Sequence, residues 1–142
     1  MKERLFLDTN VLVYLFDADD LPKQRRAQEL LSDRELRAQL ILSTQVLQEF
    51  YVAVTRKLAI PLDPDTACKA VQDLAAFPVV QVDTPLILLA IRRSDKAKIS
   101  FWDSLIVESA LVAGATVLYS EDFQNGAVFG KLRVMNPFRA GT

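Results

Sequence analysis

The residues of this chain best suited to chemistry are carboxylates. Asp8 interrupts an apolar stretch, Leu5-Phe6-Leu7-Asp8-Thr9-Asn10-Val11-Leu12. Glu49 lies in Gln48-Glu49-Phe50-Tyr51, Asp103 in Ser100-Phe101-Trp102-Asp103-Ser104-Leu105, and Asp122 in Tyr119-Ser120-Glu121-Asp122-Phe123. A charge set between Leu7 and Val11 should be substantially buried, a buried charge needs a partner, and no Lys or Arg stands beside Asp8. Carboxylates gathered together repel, so some must stay protonated unless a cation joins them. Oxygen ligands alone, few and leaving room for water, suit Mg²⁺ or Mn²⁺. Four acids suffice for one or two ions, including a two-metal site of the phosphodiester-cleaving kind.

The rest of the composition pushes chemistry onto those acids. Among 142 residues there is no His, which removes Ser-His-Asp triads, imidazole bases and His-ligated metals. The single Cys, Cys68, excludes an internal disulfide and any Cys-only metal cluster; its helical context reads as a small buried hydrophobe. Lys and Arg total 17 against 18 Asp and Glu, so bulk charge leaves no nucleic-acid footprint. Outside the four acids, however, the same counts leave a net +3. Arg92, Arg93, Lys96 and Lys98 form the densest basic stretch, just before the Asp103 segment. It reads equally as a phosphate contact and as a solvated helix end, where cations are favoured. The chain shows no apolar run long enough for a membrane span, and Met1-Lys2-Glu3-Arg4 makes a poor export leader, so cytoplasm is the expected compartment.

Short apolar runs alternating with helical periods predict an α/β fold with a mainly parallel sheet of about five strands. The expected strands are Leu5 to Leu7, Leu40 to Leu42, Val79 to Val82, Thr116 to Tyr119 and Arg133 to Met135. Helices are expected from Asn10 to Phe16, Pro22 to Leu31, Ser43 or Thr44 to about Arg56, Asp63-Pro64 to about Phe77, from Thr84-Pro85 onward, and from Ser100 to Ala113. Right-handed crossovers place every parallel strand's C-terminal end on one side of the sheet, where open α/β sheets bind ligands. Asp8 and Asp122 follow the first and fourth strands and belong at that edge. Length and absence of linkers predict one domain over residues 1–142, with its core from about Leu5 to Phe138.

Each acid also has a plainer structural reading. Asp8 suits a helix N-cap, Asp103 the reciprocal partner of Ser100 in a capping box, Asp122 a turn, and Glu49 a solvated helix face. Asp83 also follows a strand; it reads as a cap before Thr84-Pro85, although strand-end placement alone does not separate it from the others. Asp17, Asp19 and Asp20 read as solvated loop residues. Thr9, Asn10 and Ser120 suit both ligand-supporting hydrogen bonds and ordinary caps and turns.

Taken in order, these segments resemble the PIN-domain nuclease family. Leu7-Asp8-Thr9-Asn10-Val11 is similar to its first motif, Gln48-Glu49-Phe50 to its helix-borne acid, and Ser100-Phe101-Trp102-Asp103-Ser104-Leu105-Ile106 to its third motif. Ser120-Glu121-Asp122-Phe123 and Val134-Met135-Asn136-Pro137-Phe138 resemble the terminal motifs. Length and motif order are close to the VapC-like toxin ribonucleases of bacterial toxin–antitoxin pairs. The resemblance implies a three-layer α/β/α fold and a Mg²⁺- or Mn²⁺-dependent endoribonuclease leaving 5′-phosphate and 3′-hydroxyl ends. It implies Asp8, Glu49, Asp103 and Asp122 as catalytic metal ligands, a homodimer, and a cognate antitoxin that blocks the site. It leaves Asp83 outside the set. Glu108 departs from the family pattern and reads as a surface charge. An RNA-processing nuclease that is no toxin, a non-catalytic RNA- or protein-binding module of the same fold, and a receiver-like phosphoacceptor are the alternatives. The last lacks its acidic pair, since Thr9-Asn10 follows Asp8.

Overall fold

Leu5, Phe6 and Leu7 are all buried, as a strand covered on both faces requires. In the computed structural model, which describes residues 3–139, they form β1 (Leu5–Leu7) in the interior of a six-stranded sheet. The remaining strands are β2 (Leu40–Ser43), β3 (Val79–Val80), β4 (Val117–Tyr119), β5 (Val128–Phe129) and β6 (Leu132–Met135), in the spatial order β3-β2-β1-β4-β6-β5. All neighbouring pairs are parallel except β5 with β6. Leu5 to Leu7 lie in register with Val117 to Tyr119, which brings the ends of β1 and β4 side by side. The strand order reverses there, so a crevice opens at the C-terminal edge. Met1-Lys2 of the expected leader segment and residues 140–142 lie outside the described residues.

Among the described residues seven α-helices connect and flank the sheet: α1 (Thr9–Val13), α2 (Leu21–Ser32), α3 (Arg34–Gln39), α4 (Thr44–Arg56), α5 (Pro64–Leu74), α6 (Thr84–Ala97) and α7 (Phe101–Val112). A 3₁₀ turn over Tyr14–Phe16 continues α1. The starts are capped as the side chains dictate: Ser43 accepts from the Val46 amide, Asp63 from Thr66, Asp83 from Leu86, and the Ser100 hydroxyl from Asp103. Asp83 is therefore a cap, as its sequence position suggests. The main core joins Phe6, Leu7, Leu42, Phe50, Leu118 and Leu132; Leu86, Ala90 and Leu105 form a second cluster between α6 and α7.

Several sequence expectations need correction. The sheet has six strands because the chain folds back at Gly130 (φ 60°), pairing Val128 with Arg133. The two-residue β5 is too short to announce itself by periodicity. β3 stops at Val80, and the Val82 amide bonds instead to the Thr44 hydroxyl at 3.1 Å. Helix α3 went unseen in the polar Asp33–Gln39 stretch; Asp33 caps it and only Leu36 anchors it. Asp20 is not merely solvated but caps α2, accepting from the Lys23 amide at 3.2 Å. Cys68 is helical yet exposed, because α5 buries Ala67 and Leu74, and position 68 lies about 100° around the helix from Ala67.

Candidate active site

Asp8 is extended (φ −73°, ψ 157°) where β1 hands over to α1, and it caps that helix through the Thr9 amide at 2.8 Å. The cap explanation is thus correct but incomplete. The residue is only 6% exposed, and its carboxylate Oδ2 accepts the Ser120 hydroxyl at 2.7 Å. Ser120 follows β4, is itself fully buried, and accepts the Asp122 amide at 3.1 Å. Asn10 links three neighbours. Its amide nitrogen donates to Asp122 Oδ2 at 2.9 Å and lies 3.4 Å from Asp8 Oδ2, while its Oδ1 accepts the Glu121 amide at 3.2 Å. Glu49 projects from α4, where its Oε1 accepts the Thr9 hydroxyl at 2.7 Å. Asp103 sits in the first turn of α7.

The fold therefore brings Asp8, Glu49, Asp103 and Asp122 to the wall of one cleft of about 770 Å³, together with Thr9 and Asn10. Burial pushes Asp8 from its ordinary 3.8 up to about 6, against the hydrogen bonds from Ser120 and Thr9 and with help from the charges of Asp122 and Glu49. Asp103 is raised too, chiefly by burial, while Ser100 opposes and Asp122 and Glu49 assist. The ion pairs among the described residues are Lys23–Glu121, Arg26–Glu29 and Arg93–Glu108, so none of the four acids has a cationic side chain beside it.

An oxygen-only set with uncompensated negative charge fits a hard divalent cation. In their present rotamers no three acids among the described residues form a group already able to hold an ion. The donor chemistry fits a metal, whereas a closed coordination shell is not preformed.

Three cleft residues escaped sequence reading. Gln45, one helical turn before Glu49, is buried and donates its amide to the Trp102 carbonyl at 3.2 Å; its Oε1 has no partner. Its polar character within an apolar helix face was the available signal. Lys57 is the one cation among the described residues lining the cleft, and Glu121 lines it beside Asp122. By contrast, none of Arg92, Arg93, Lys96 and Lys98 lines the cleft. Arg93 is bonded through Nε to Glu108, whose side chain is only 12% exposed. Glu108 is therefore an inter-helical ion-pair partner rather than the expected surface charge, because α6 and α7 pack together and turn these two residues toward each other.

Comparison with known proteins places this architecture. Residues 5–126 match the model of the PIN domain. The chain belongs to the PIN domain family. No curated protein matches it. Among solved structures it is similar to the Mycobacterium tuberculosis toxin VapC20, described as cleaving the sarcin–ricin loop (22% identity, TM-score 0.63, 83% of this chain and 89% of that one). It is also similar to a toxin–antitoxin complex from Klebsiella pneumoniae (19%, TM-score 0.67, 95% and 98%) and to FitAB bound to a DNA fragment (19%, TM-score 0.70, 95% and 96%). At these identities the likeness speaks for the fold. This PIN domain carries Asp8, Glu49, Asp103 and Asp122 on the wall of the cleft described above. Among the described residues no helix is long and apolar enough to cross a membrane.

Proposed function

We propose that this PIN domain is a Mg²⁺- or Mn²⁺-dependent endoribonuclease, the toxin of a bacterial toxin–antitoxin pair. The observation that carries the reading is the convergence of Asp8, Glu49, Asp103 and Asp122 on one cleft, with Asp8 buried and none of the four in an ion pair among the described residues. The toxin assignment draws on the neighbours, one a sarcin–ricin-loop-cleaving toxin and another a toxin–antitoxin complex. In this reading a cognate antitoxin covers the cleft, and two copies of the chain associate.

Asp8 and Asp103 would be the central metal ligands, with Glu49 completing the set or orienting water and Asp122 holding the ion directly or through water. A bound divalent ion supplies a water of lowered pKa and charge stabilisation at a phosphoryl group, which a chain without His needs. The chain's own groups prepare the site. Ser120 and the Thr9 amide fix Asp8, the Thr9 hydroxyl fixes Glu49, and Asn10 ties Asp122 toward Asp8. Lys57 offers one positive charge on the cleft wall for a neighbouring phosphate, and the exposed Trp102 beside Asp103 offers a face for an unpaired base.

The test is cleavage of total tRNA, ribosomal RNA and a synthetic strand by the purified protein with Mg²⁺, Mn²⁺ or EDTA, beside Asp8→Asn. Cleavage that needs metal and falls at least about a hundredfold in the variant is expected. Equal cleavage by Asp8→Asn would refute the assigned site. Activity confined to a precursor RNA would favour a processing enzyme over a toxin.

A further inference from the structure

Glu121 precedes Asp122 in the Ser120–Gln124 segment that follows β4, and it is also a wall of the cleft. Two adjacent acids at a metal site pose a choice, and side-chain partners separate them. Both Glu121 oxygens are engaged: Oε1 accepts the Tyr14 hydroxyl at 2.6 Å, and Oε2 pairs with the Lys23 ammonium. Lys23 also donates to the Tyr14 oxygen at 3.3 Å and lies over the Tyr14 and Phe138 rings, 5.1 and 6.0 Å from their centroids. The Glu121 amide is held by Asn10 Oδ1, and Asn10 holds Asp122 with its other end. Asp122, by contrast, is in no ion pair among the described residues, and its charge is felt by both Asp8 and Asp103.

We propose that Lys23, Tyr14 and Glu121 form a clamp that takes Glu121 out of the ligand set and sets Asp122 at the metal position. The three are positioning residues. They come from α2, the 3₁₀ turn and the loop after β4, so the clamp ties that loop to the helical layer. Without it the exposed Asp122 would be driven outward by Asp8 and Asp103 whenever the metal is absent. The proposal rests on the metal-dependent reading above, and its test is chosen to separate the two.

Mg²⁺ binding by the purified full-length chain would be measured by titration calorimetry, with wild type, Lys23→Met, Glu121→Gln and Tyr14→Phe compared. Loss of such supporting contacts weakens metal binding by about tenfold or more. Lys23→Met and Glu121→Gln should therefore raise the Mg²⁺ dissociation constant about tenfold, and their double variant should do little more than either alone. Tyr14→Phe, which removes a single hydroxyl and keeps the ring, should weaken binding less and covers the case in which Lys23→Met fails to fold. Cleavage at saturating Mg²⁺ should recover in each folded variant. Wild-type Mg²⁺ affinity in all folded variants would overturn the clamp while leaving the metal reading intact. Tighter Mg²⁺ binding by Lys23→Met would overturn it in the other direction, by showing that Glu121 is a ligand which Lys23 holds back. A wild-type chain that binds no Mg²⁺ would overturn the metal reading, and the clamp's role with it.

Discussion

Asp8 shows how one side chain can both support and oppose folding. As a cap it satisfies the first amide of α1; as a buried charge it opposes folding. Its pKa is raised by the fold from 3.8 to about 6, so the folded state holds this proton more tightly than the unfolded chain. The penalty is therefore absent below about pH 4, grows as pH rises toward 6, and is complete above it. Asp8→Asn should stabilise the metal-free protein at pH 7.5 by on the order of 2–3 kcal/mol, with the gain vanishing near pH 4. Urea melts of both proteins across that range, in EDTA, check the sign. A variant no more stable than wild type at pH 7.5 would mean that Asp8 is not buried as a charge. If the chain binds Mg²⁺ as proposed, saturating Mg²⁺ should narrow or reverse the order, since wild type would gain more from the ion than the variant.

At the scale of elements, α6 and α7 illustrate a charge pair with a structural duty. Arg93 is partly covered by α7 and meets Glu108 where water is scarce. Removing one member of such a pair leaves the other buried without a partner. Arg93→Met should destabilise the fold by about 1–3 kcal/mol, recovered largely in Arg93→Met with Glu108→Leu. Cleavage by the folded Arg93→Met should match wild type, because Arg93 does not line the cleft. Denaturant titration and a cleavage assay of the same preparations test both halves. A large loss of cleavage with unchanged stability would return Arg93 to the role of a phosphate contact.

For the whole molecule, site geometry depends on the sheet. Asp8 is held against β4 by its amide, which donates to the Tyr119 carbonyl at 2.9 Å, and Ser120 against β6 through Met135 at 3.0 Å. Leu118 is fully buried at the centre of this arrangement. Leu118→Ala should cost about 2–5 kcal/mol, as deletions in closed cores do. It should also lower cleavage at temperatures where the protein remains folded, since the loop carrying Asp122 begins two residues beyond. Thermal melts paired with rates measured well below the transition distinguish this from simple unfolding.

The amino-acid sequence by itself determined much of the frame. Strands at Leu5–Leu7 and Leu40–Ser43, the capped starts at Ser43, Asp63, Asp83 and Ser100, and the place of Asp8 at the end of β1 were legible because each depends on neighbours in the chain: apolar runs, a hydroxyl or carboxylate before a helix, an acid at the end of a strand. What lay beyond reach depended on partners distant in sequence. Cys68 faces outward because Ala67 fits against the core. Arg93 and Glu108 meet only when two helices pack, and Lys23 meets Glu121 across 98 positions of chain. β5 exists only because β6 is there to pair with it. Local propensity and periodicity act over a few residues, whereas burial and charge pairing are settled by which surfaces close on one another. The sequence therefore offered the acids as candidates, and the tertiary structure decided which charges Asp8 and Asp103 feel.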